Sequence, residues 1–88
     1  SHASAIRVMI IEDYAVTRLG MVTTLSQFPR IRFVAEAESA EDGLRQLDTL
    51  METVDEPEIL LLDLGLPEMN GIEMAGEVKS RWPSLKII

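Results

Sequence analysis

Two short runs of consecutive apolar residues stand out in the hydrophobic pattern, at positions 8–11 and 59–62. Apolar runs of this length, without alternating polar residues, are typical of strands that are buried on both faces in a parallel sheet. The first run lies within a predicted strand over residues 6–12, and the second predicts the third strand. Both runs end in acid, because Glu12 and Asp13 follow the first and Asp63 follows the second.

Apolar side chains at helical spacing predict three helices between and after these strands. The first covers residues 15–28 and ends before Pro29, the second starts at Ser39 with an acid three residues later, and the third follows a loop over residues 67–71 and ends at Pro83. The predicted buried stripe of the first helix is Val16, Leu19, Met21, Val22, Leu25 and Phe28. That of the second is Leu44, Leu47, Leu50 and Met51. That of the third is Ile72, Met74, Ala75, Val78 and Trp82.

Strict alternation over residues 31–38 predicts a half-exposed second strand at the edge of the sheet. The residues predicted to share its apolar face are Ile31, Phe33, Ala35 and Ala37. Residues 54–58 form an acidic connection that contains a proline, and residues 85–88 predict a fourth strand. Strands that alternate with helices require right-handed parallel crossovers, so the predicted fold is α/β, an incomplete flavodoxin-like doubly wound parallel sheet of about four strands and three helices.

The acids after the two apolar runs predict a site. In an open parallel sheet the ligand site lies beyond the carboxyl ends of the strands, where the strand order reverses. If the second strand is the edge, the first and third strands are neighbours, and Glu12, Asp13 and Asp63 converge. Like charges this close oppose folding, and a divalent cation would resolve the repulsion. Oxygen-only ligands favour Mg2+, and Asp63 beside this Lewis acid is a candidate nucleophile that forms an aspartyl phosphate.

Acids that follow strands also have a simpler interpretation, because they often cap helices or stay solvated. A single such acid favours this interpretation, whereas acids after both central runs, with a Pro-x-x-x-Gly loop beside the second, favour a site. Asp13 is in addition a candidate N-cap of the first helix. The acids predicted to be solvated surface are Glu41, Asp42, Asp55, Glu56 and Glu58, and the methionines predicted to be core are Met21, Met51 and Met74.

Composition excludes several classes of function. At 88 residues the chain is one domain or part of one, with residues 1–5 predicted as an expression remnant or tail and residues 6–88 as the N-terminal part of a domain. Fifteen acidic and eight basic residues give a net charge of −7, so neither nucleic acid nor a membrane surface is an expected partner of this chain itself. No apolar stretch of roughly 18 residues or charged-then-apolar leader is present, so a cytoplasmic location is expected. The absence of cysteine excludes disulfides and thiolate chemistry.

Taken together, these residues resemble the receiver domain of two-component response regulators. The residues that carry the resemblance are Glu12, Asp13, Asp63, Pro67 and Gly71, and it extends over residues 6–88. The resemblance implies that Asp63 accepts a phosphoryl group from a sensor histidine kinase and that Asp13 binds Mg2+ directly. It also implies that Glu12 holds Mg2+ through water and that Gly65 contributes its backbone carbonyl.

Residues 18–21 and 34–37 resemble the subgroup whose receivers precede a LuxR-type helix-turn-helix domain, so DNA binding is expected through a C-terminal domain outside this chain. Family members also carry a Ser or Thr at the end of the fourth strand and a fifth strand that ends in Lys. The chain ends before both positions, and Lys79 and Lys86 do not occupy the place of that Lys. A fourth strand at the edge and an apolar patch beside the first helix are therefore expected, with a homodimer or other self-association as one consequence.

Other classes of protein fit less well. A phosphatase with an aspartate nucleophile would carry a second acid two residues later, and that position is Gly65. A dinucleotide-binding enzyme would carry a glycine-rich turn after the first strand, and residues 12–15 contain no glycine. The chain is therefore interpreted as a signalling domain, not as an enzyme. The alternative that stays open is a receiver-like protein–protein interaction module that is not phosphorylated.

Overall fold

The computed structural model of the chain describes residues 5–63, 65 and 70–88. Within these residues, strands and helices alternate. The elements are β1 (Ile6–Ile11), α1 (Ala15–Leu25), β2 (Ile31–Ala37), α2 (Ala40–Leu50), β3 (Ile59–Leu62), α3 (Gly71–Arg81) and β4 (Lys86–Ile87). The predicted order of elements is confirmed. α1 ends three residues earlier than predicted, and most of the predicted loop over residues 67–71 lies outside the described residues.

The strands form one sheet in the order β2-β1-β3-β4, and each neighbouring pair is parallel. This order confirms the predicted doubly wound, flavodoxin-like α/β fold and the position of β2 at an edge. Backbone pairing continues past the strand ends, because the Asp63 N–H donates to the Ile11 carbonyl over 3.2 Å. The carboxyl ends of β1 and β3 therefore lie side by side.

The main core lies between one face of this sheet and the helices α2 and α3. Its fully buried side chains include Met9, Ile11, Leu47, Leu60, Met74 and Val78. The predicted stripe of α2 is confirmed at three of its four positions, since Leu47 is fully buried while Leu44 and Met51 pack against the core. Leu50 is half-buried and lies outside this core. In α3, Ile72 is 73% exposed, so its predicted burial is wrong. The buried positions of α3 follow Gly71 at intervals of three and four residues, and Ile72 lies about 100° around the helix from that line.

Two helices begin with side-chain caps and one does not. The Ser39 hydroxyl accepts a hydrogen bond from the Asp42 N–H at 3.1 Å, which confirms the predicted cap of α2. The Asn70 side chain accepts from the Glu73 N–H in the same way at the start of α3. The N-cap residue of α1 is Tyr14, with no side-chain cap. The prediction that Asp13 caps α1 is wrong, because the helix begins one residue too late for the Asp13 carboxylate to occupy the cap position.

α1 packs on the opposite face of the sheet and exposes much of its predicted apolar stripe. None of its residues is buried, and Val16 and Leu19 are 85% and 66% exposed. Met21 lies beside Ile10 and Leu61 of the sheet but remains partly exposed, so its predicted place in the core is wrong. The physical reason is that, within the described residues, the other helices pack on the far face.

The alternation predicted for β2 is interrupted by a shift in register. Val8 of β1 pairs with Phe33, whereas the next residue, Met9, pairs with Ala35. Val34 is therefore an additional residue in β2, as in a β-bulge.

This bulge changes which face the second half of β2 presents. Paired residues share a face of the sheet, and successive residues of a strand point to opposite faces. Ala35 and Ala37 therefore face the main core, against which they pack. Glu36, which pairs with Ile10, faces α1. The prediction of one continuous apolar face from Ile31 to Ala37 is wrong, because it assumed strict alternation through the bulge.

The rest of the fold adds two observations. The acids between α2 and β3 stay at the surface, where Asp55 contacts Arg32 and Glu58 contacts Arg7.

Among the described residues, no helix is long and apolar enough to cross a membrane.

Candidate phosphoacceptor and metal site

Three carboxylates meet at the carboxyl ends of β1 and β3. Glu12, Asp13 and Asp63 each offer one oxygen, and these oxygens lie within 4.8 Å of one another. Glu12 is 8% exposed, and the other two are half-buried. The structure thus brings together the three acids that the apolar runs predicted would converge.

Several hydrogen bonds hold the Glu12 residue in place. Its N–H donates to the Ala37 carbonyl at 3.0 Å, and its side-chain Oε2 accepts from the Tyr14 N–H at 3.1 Å. Its backbone carbonyl accepts from Arg18 Nη1 at 2.5 Å. The loop that carries the acid pair is therefore fixed from β2 and from α1 as well as from within.

The environment of Glu12 favours its protonated form. Burial is the largest cause that raises the pKa of this carboxyl above its ordinary value, and the hydrogen bond from the Tyr14 N–H opposes it. The neighbouring carboxylates of Asp63 and Asp13 raise the pKa of Glu12 further. Positive charge brought into the cluster would favour the carboxylate form of Glu12.

Asp13 supplies the donor atom that points most directly to a cation. Its Oδ1 atom is buried and has no hydrogen-bond partner among the described residues. A buried carboxylate oxygen without a partner costs free energy, so such atoms usually have a ligand or an ion beside them. The oxygen-only donor set fits a hard divalent cation such as Mg2+, which binds one or two carboxylates and keeps several waters.

Asp63 is held by the residue two positions later. The Gly65 N–H donates to Asp63 Oδ1 at 2.9 Å, which limits rotation of the carboxylate at the end of β3. Gly65 itself is exposed. Leu64 and residues 66–69, including Pro67 of the predicted motif, lie outside the described residues.

Arg18 also belongs to the site, although the sequence predicted no role for it there. Its only use in the sequence analysis was as part of the motif at residues 18–21 that indicates the subgroup. Its guanidinium reaches from the first turns of α1 to the Glu12 carbonyl, and its Nε lies 3.4 Å from Glu36 Oε1. A cation six residues after a buried acid was the available signal, since α1 returns over the end of β1. The sequence did not reveal the contact between Arg18 and Glu36, because strict alternation places Glu36 on the other face of β2. The bulge at Val34 moves Glu36 to the face of α1.

A doubly wound sheet with an acid cluster at the carboxyl ends of its first and third strands defines a receiver-type signalling domain. The chain belongs to the response regulator receiver domain family, whose model matches residues 8–88. It is 30% identical over 84 residues to the response regulator protein VraR of Staphylococcus epidermidis, a match that covers 96% of this chain and 38% of that protein. It is 33% identical over 81 residues to the nitrate/nitrite response regulator protein NarL of Escherichia coli, covering 92% of this chain and 35% of that protein.

The solved structures agree with this membership. The two-component response regulator RcsB in complex with DNA superposes with a TM-score of 0.85 at 26% identity, over 97% of this chain and 41% of that chain. The chain thus spans about two fifths of the length of these relatives. Their LuxR/NarL type confirms the predicted subgroup, and signalling with regulation of transcription fits the family.

Proposed function

We propose that this chain is a phosphoacceptor domain in which Asp63 receives a phosphoryl group from a sensor histidine kinase with the help of Mg2+. The observation that carries the proposal is the convergence of Glu12, Asp13 and Asp63, together with the buried Oδ1 of Asp13, which has no hydrogen-bond partner among the residues that the structure describes. Such a cluster opposes folding by itself and is useful only when it binds a cation. A carboxylate nucleophile next to a cation-binding pair suits the formation of an aspartyl phosphate.

Each residue has a distinct role in this proposal. Asp13 is a direct Mg2+ ligand, and Glu12 holds the ion through water. Asp63 and Gly65 complete the ligand set, Asp63 with its carboxylate and Gly65 with its backbone carbonyl. When bound, Mg2+ would offset the negative charge of the acids and of the incoming phosphoryl oxygens. An Asp63 oxygen forms a bond to phosphorus while the phosphorus–nitrogen bond of the donor phosphohistidine breaks. The bonding electron pair stays on the imidazole nitrogen, which takes up a proton.

The wider assignment follows from the family. RcsB, a two-component response regulator, is bound to DNA in its solved structure. We infer that the present chain controls a DNA-binding output domain in the same manner, while its own net charge of −7 disfavours direct DNA contact. Action in the cytoplasm, self-catalysed loss of the phosphoryl group and a homodimer are parts of the same proposal.

Phosphorylation of the intact protein by a small acyl phosphate tests the assignment. With Mg2+ present, peptide mass mapping is expected to place the label on Asp63 and to find none in the Asp63→Asn variant. The matched control is Asp48→Asn, since Asp48 is an exposed acid of α2 that pairs with Arg81 of α3, away from the acid cluster. Label on another residue would refute the role of Asp63. Absence of both label and Mg2+ binding would favour the interaction module that is not phosphorylated.

A further inference from the structure

Arg18 connects three elements of the fold around the acid pair. It belongs to α1, its Nη1 donates to the Glu12 carbonyl at the end of β1, and its Nε lies beside Glu36 of β2. The side chain is only 18% exposed. One planar guanidinium therefore serves two partners, through a hydrogen bond to the Glu12 carbonyl and an ion pair with Glu36. The compact ammonium of lysine does not reproduce this rigid, planar geometry.

The carbonyl that Arg18 contacts belongs to the peptide group between Glu12 and Asp13. Because a peptide group is planar, a hydrogen bond to its oxygen also fixes the direction in which the chain enters Asp13. The other bonds at this corner hold Glu12 itself, through its N–H and through its side chain to the Tyr14 N–H. Within the described residues, Arg18 is thus the side chain that restrains the plane of the peptide leading to Asp13.

Glu36 is available to Arg18 because of the bulge at Val34. With strict alternation from Phe33 onward, Glu36 would lie on the face covered by α2 and α3. The extra residue instead pairs Glu36 with Ile10, on the face that α1 covers. Bulges next to functional sites commonly redirect a side chain in this way. The bulge therefore allows Glu36 to pair with Arg18, and Arg18 in turn contacts the backbone of the acid pair Glu12–Asp13.

We propose that Arg18 is a positioning residue for metal binding. Held by Glu36, it fixes the Glu12–Asp13 peptide so that the Asp13 carboxylate faces Asp63. The inference rests on the proposed function in one respect, since it takes these acids to be the Mg2+ site. Arg18 acts through geometry and not as a counter-charge, because the contacts of its guanidinium are to a carbonyl and to Glu36, outside the acid cluster.

A calorimetric titration of the intact protein with Mg2+ tests this role. It is carried out at a temperature at which circular dichroism shows that every variant is folded. Arg18→Met is expected to raise the Mg2+ dissociation constant about tenfold, the usual scale for loss of a residue that orients a metal ligand. Arg18→Lys keeps the charge but loses the two-partner geometry, so it is expected to resemble Arg18→Met. The control is Arg32→Met, which removes an exposed ion pair with Asp55 elsewhere on β2 and is expected to change the constant less than about twofold.

A double-mutant cycle tests whether Glu36 of β2 affects Mg2+ binding through Arg18. Glu36→Gln is expected to weaken Mg2+ binding by less than Arg18→Met, and to add nothing when the arginine is already replaced, because residues that act through one another are not additive. Additive losses would overturn the role of Glu36. Full Mg2+ affinity in Arg18→Lys would show a charge effect and refute positioning. An Arg18→Met protein that binds Mg2+ as well as the Arg32→Met control would refute it as well.

Amide exchange separates failure of this inference from failure of the proposed function. If the unmutated protein binds no Mg2+, the proposed function fails. The geometry is then judged from the Tyr14 N–H, which donates to the Glu12 side chain. Its exchange with solvent is expected to be several times faster in Arg18→Met than in Arg32→Met. Equal exchange in the two variants would overturn the positioning role whether or not metal binds.

Discussion

Replacing Asp63 by Asn is expected to stabilise the metal-free protein. Asn removes one of three carboxylates whose oxygens lie within 4.8 Å of one another. It keeps an amide oxygen that can accept the hydrogen bond now made by the Gly65 N–H to Asp63 Oδ1. The substitution therefore removes repulsion from the cluster while leaving the local contact in place.

The magnitude follows from Coulomb's law. Two unit charges separated by the 4.8 Å of this cluster repel by about 0.9 kcal/mol at the dielectric constant of water and by about 3.5 kcal/mol at an effective value of 20. Asp63 is half-buried and faces two such neighbours, and solvent access to the cluster keeps the effective repulsion toward the lower of these two values. We therefore expect the free energy of unfolding to rise by about 1–2 kcal/mol at neutral pH and low salt.

Urea denaturation of the intact protein without divalent cations measures this change. The control is Asp48→Asn, which loses a surface ion pair with Arg81 and is expected to be neutral or slightly destabilising. High salt should reduce the gain of Asp63→Asn, since screening weakens repulsion in a cluster that is open to solvent. Saturating Mg2+ should reverse the order of stability, because a ligand stabilises only the protein that binds it.

Two results would refute this reasoning. One is an Asp63→Asn protein that is no more stable than the unmutated protein at low salt. The other is a gain of the same size in Asp48→Asn, which would trace the effect to the net charge of −7 and not to the cluster.

Three further predictions concern the surroundings of the site. Burial raises the pKa of Glu12 in the folded protein above its unfolded value, so native Glu12 holds its proton more tightly, and stability falls as pH rises from the ordinary range of a glutamate carboxyl through the raised pKa. Glu12→Gln should remove this part of the decline, as measured by urea denaturation at a series of pH values. Asp13→Asn should weaken Mg2+ binding more than Glu12→Gln, because a direct ligand loses its coordination and a water-mediated one loses only orientation; equal losses in a calorimetric titration would contradict the proposed ligand roles. Gly43→Ala should destabilise the fold by about 1–3 kcal/mol, because a Cβ there would lie 2.3 Å from Ile11 Cδ1 in the core, whereas the control Gly76→Ala has open space and should stabilise α3 by about 0.5–1 kcal/mol; thermal melting that ranks the two variants the other way would contradict this packing.

The sequence by itself determined the sheet and the acid cluster. Uninterrupted apolar runs at positions 8–11 and 59–62 could be satisfied only in central strands, and the acids follow those runs directly. Once β1 and β3 are neighbours, Glu12, Asp13 and Asp63 have to meet, because parallel strands end at the same edge. The predicted helix cap at Ser39 is equally local, since it depends on a side chain and an N–H three residues away.

Only the tertiary structure decided which apolar residues are buried and which polar residues meet. Val16 and Ile72 have the pattern of core positions, but their burial depends on whether another element packs over them, and in the described part of the chain none does. The contact between Arg18 and Glu36 depends on the bulge at Val34, which neither residue reveals. Pairing register is set jointly by two strands that are distant in the chain, so no pattern within β2 could show that Glu36 faces α1.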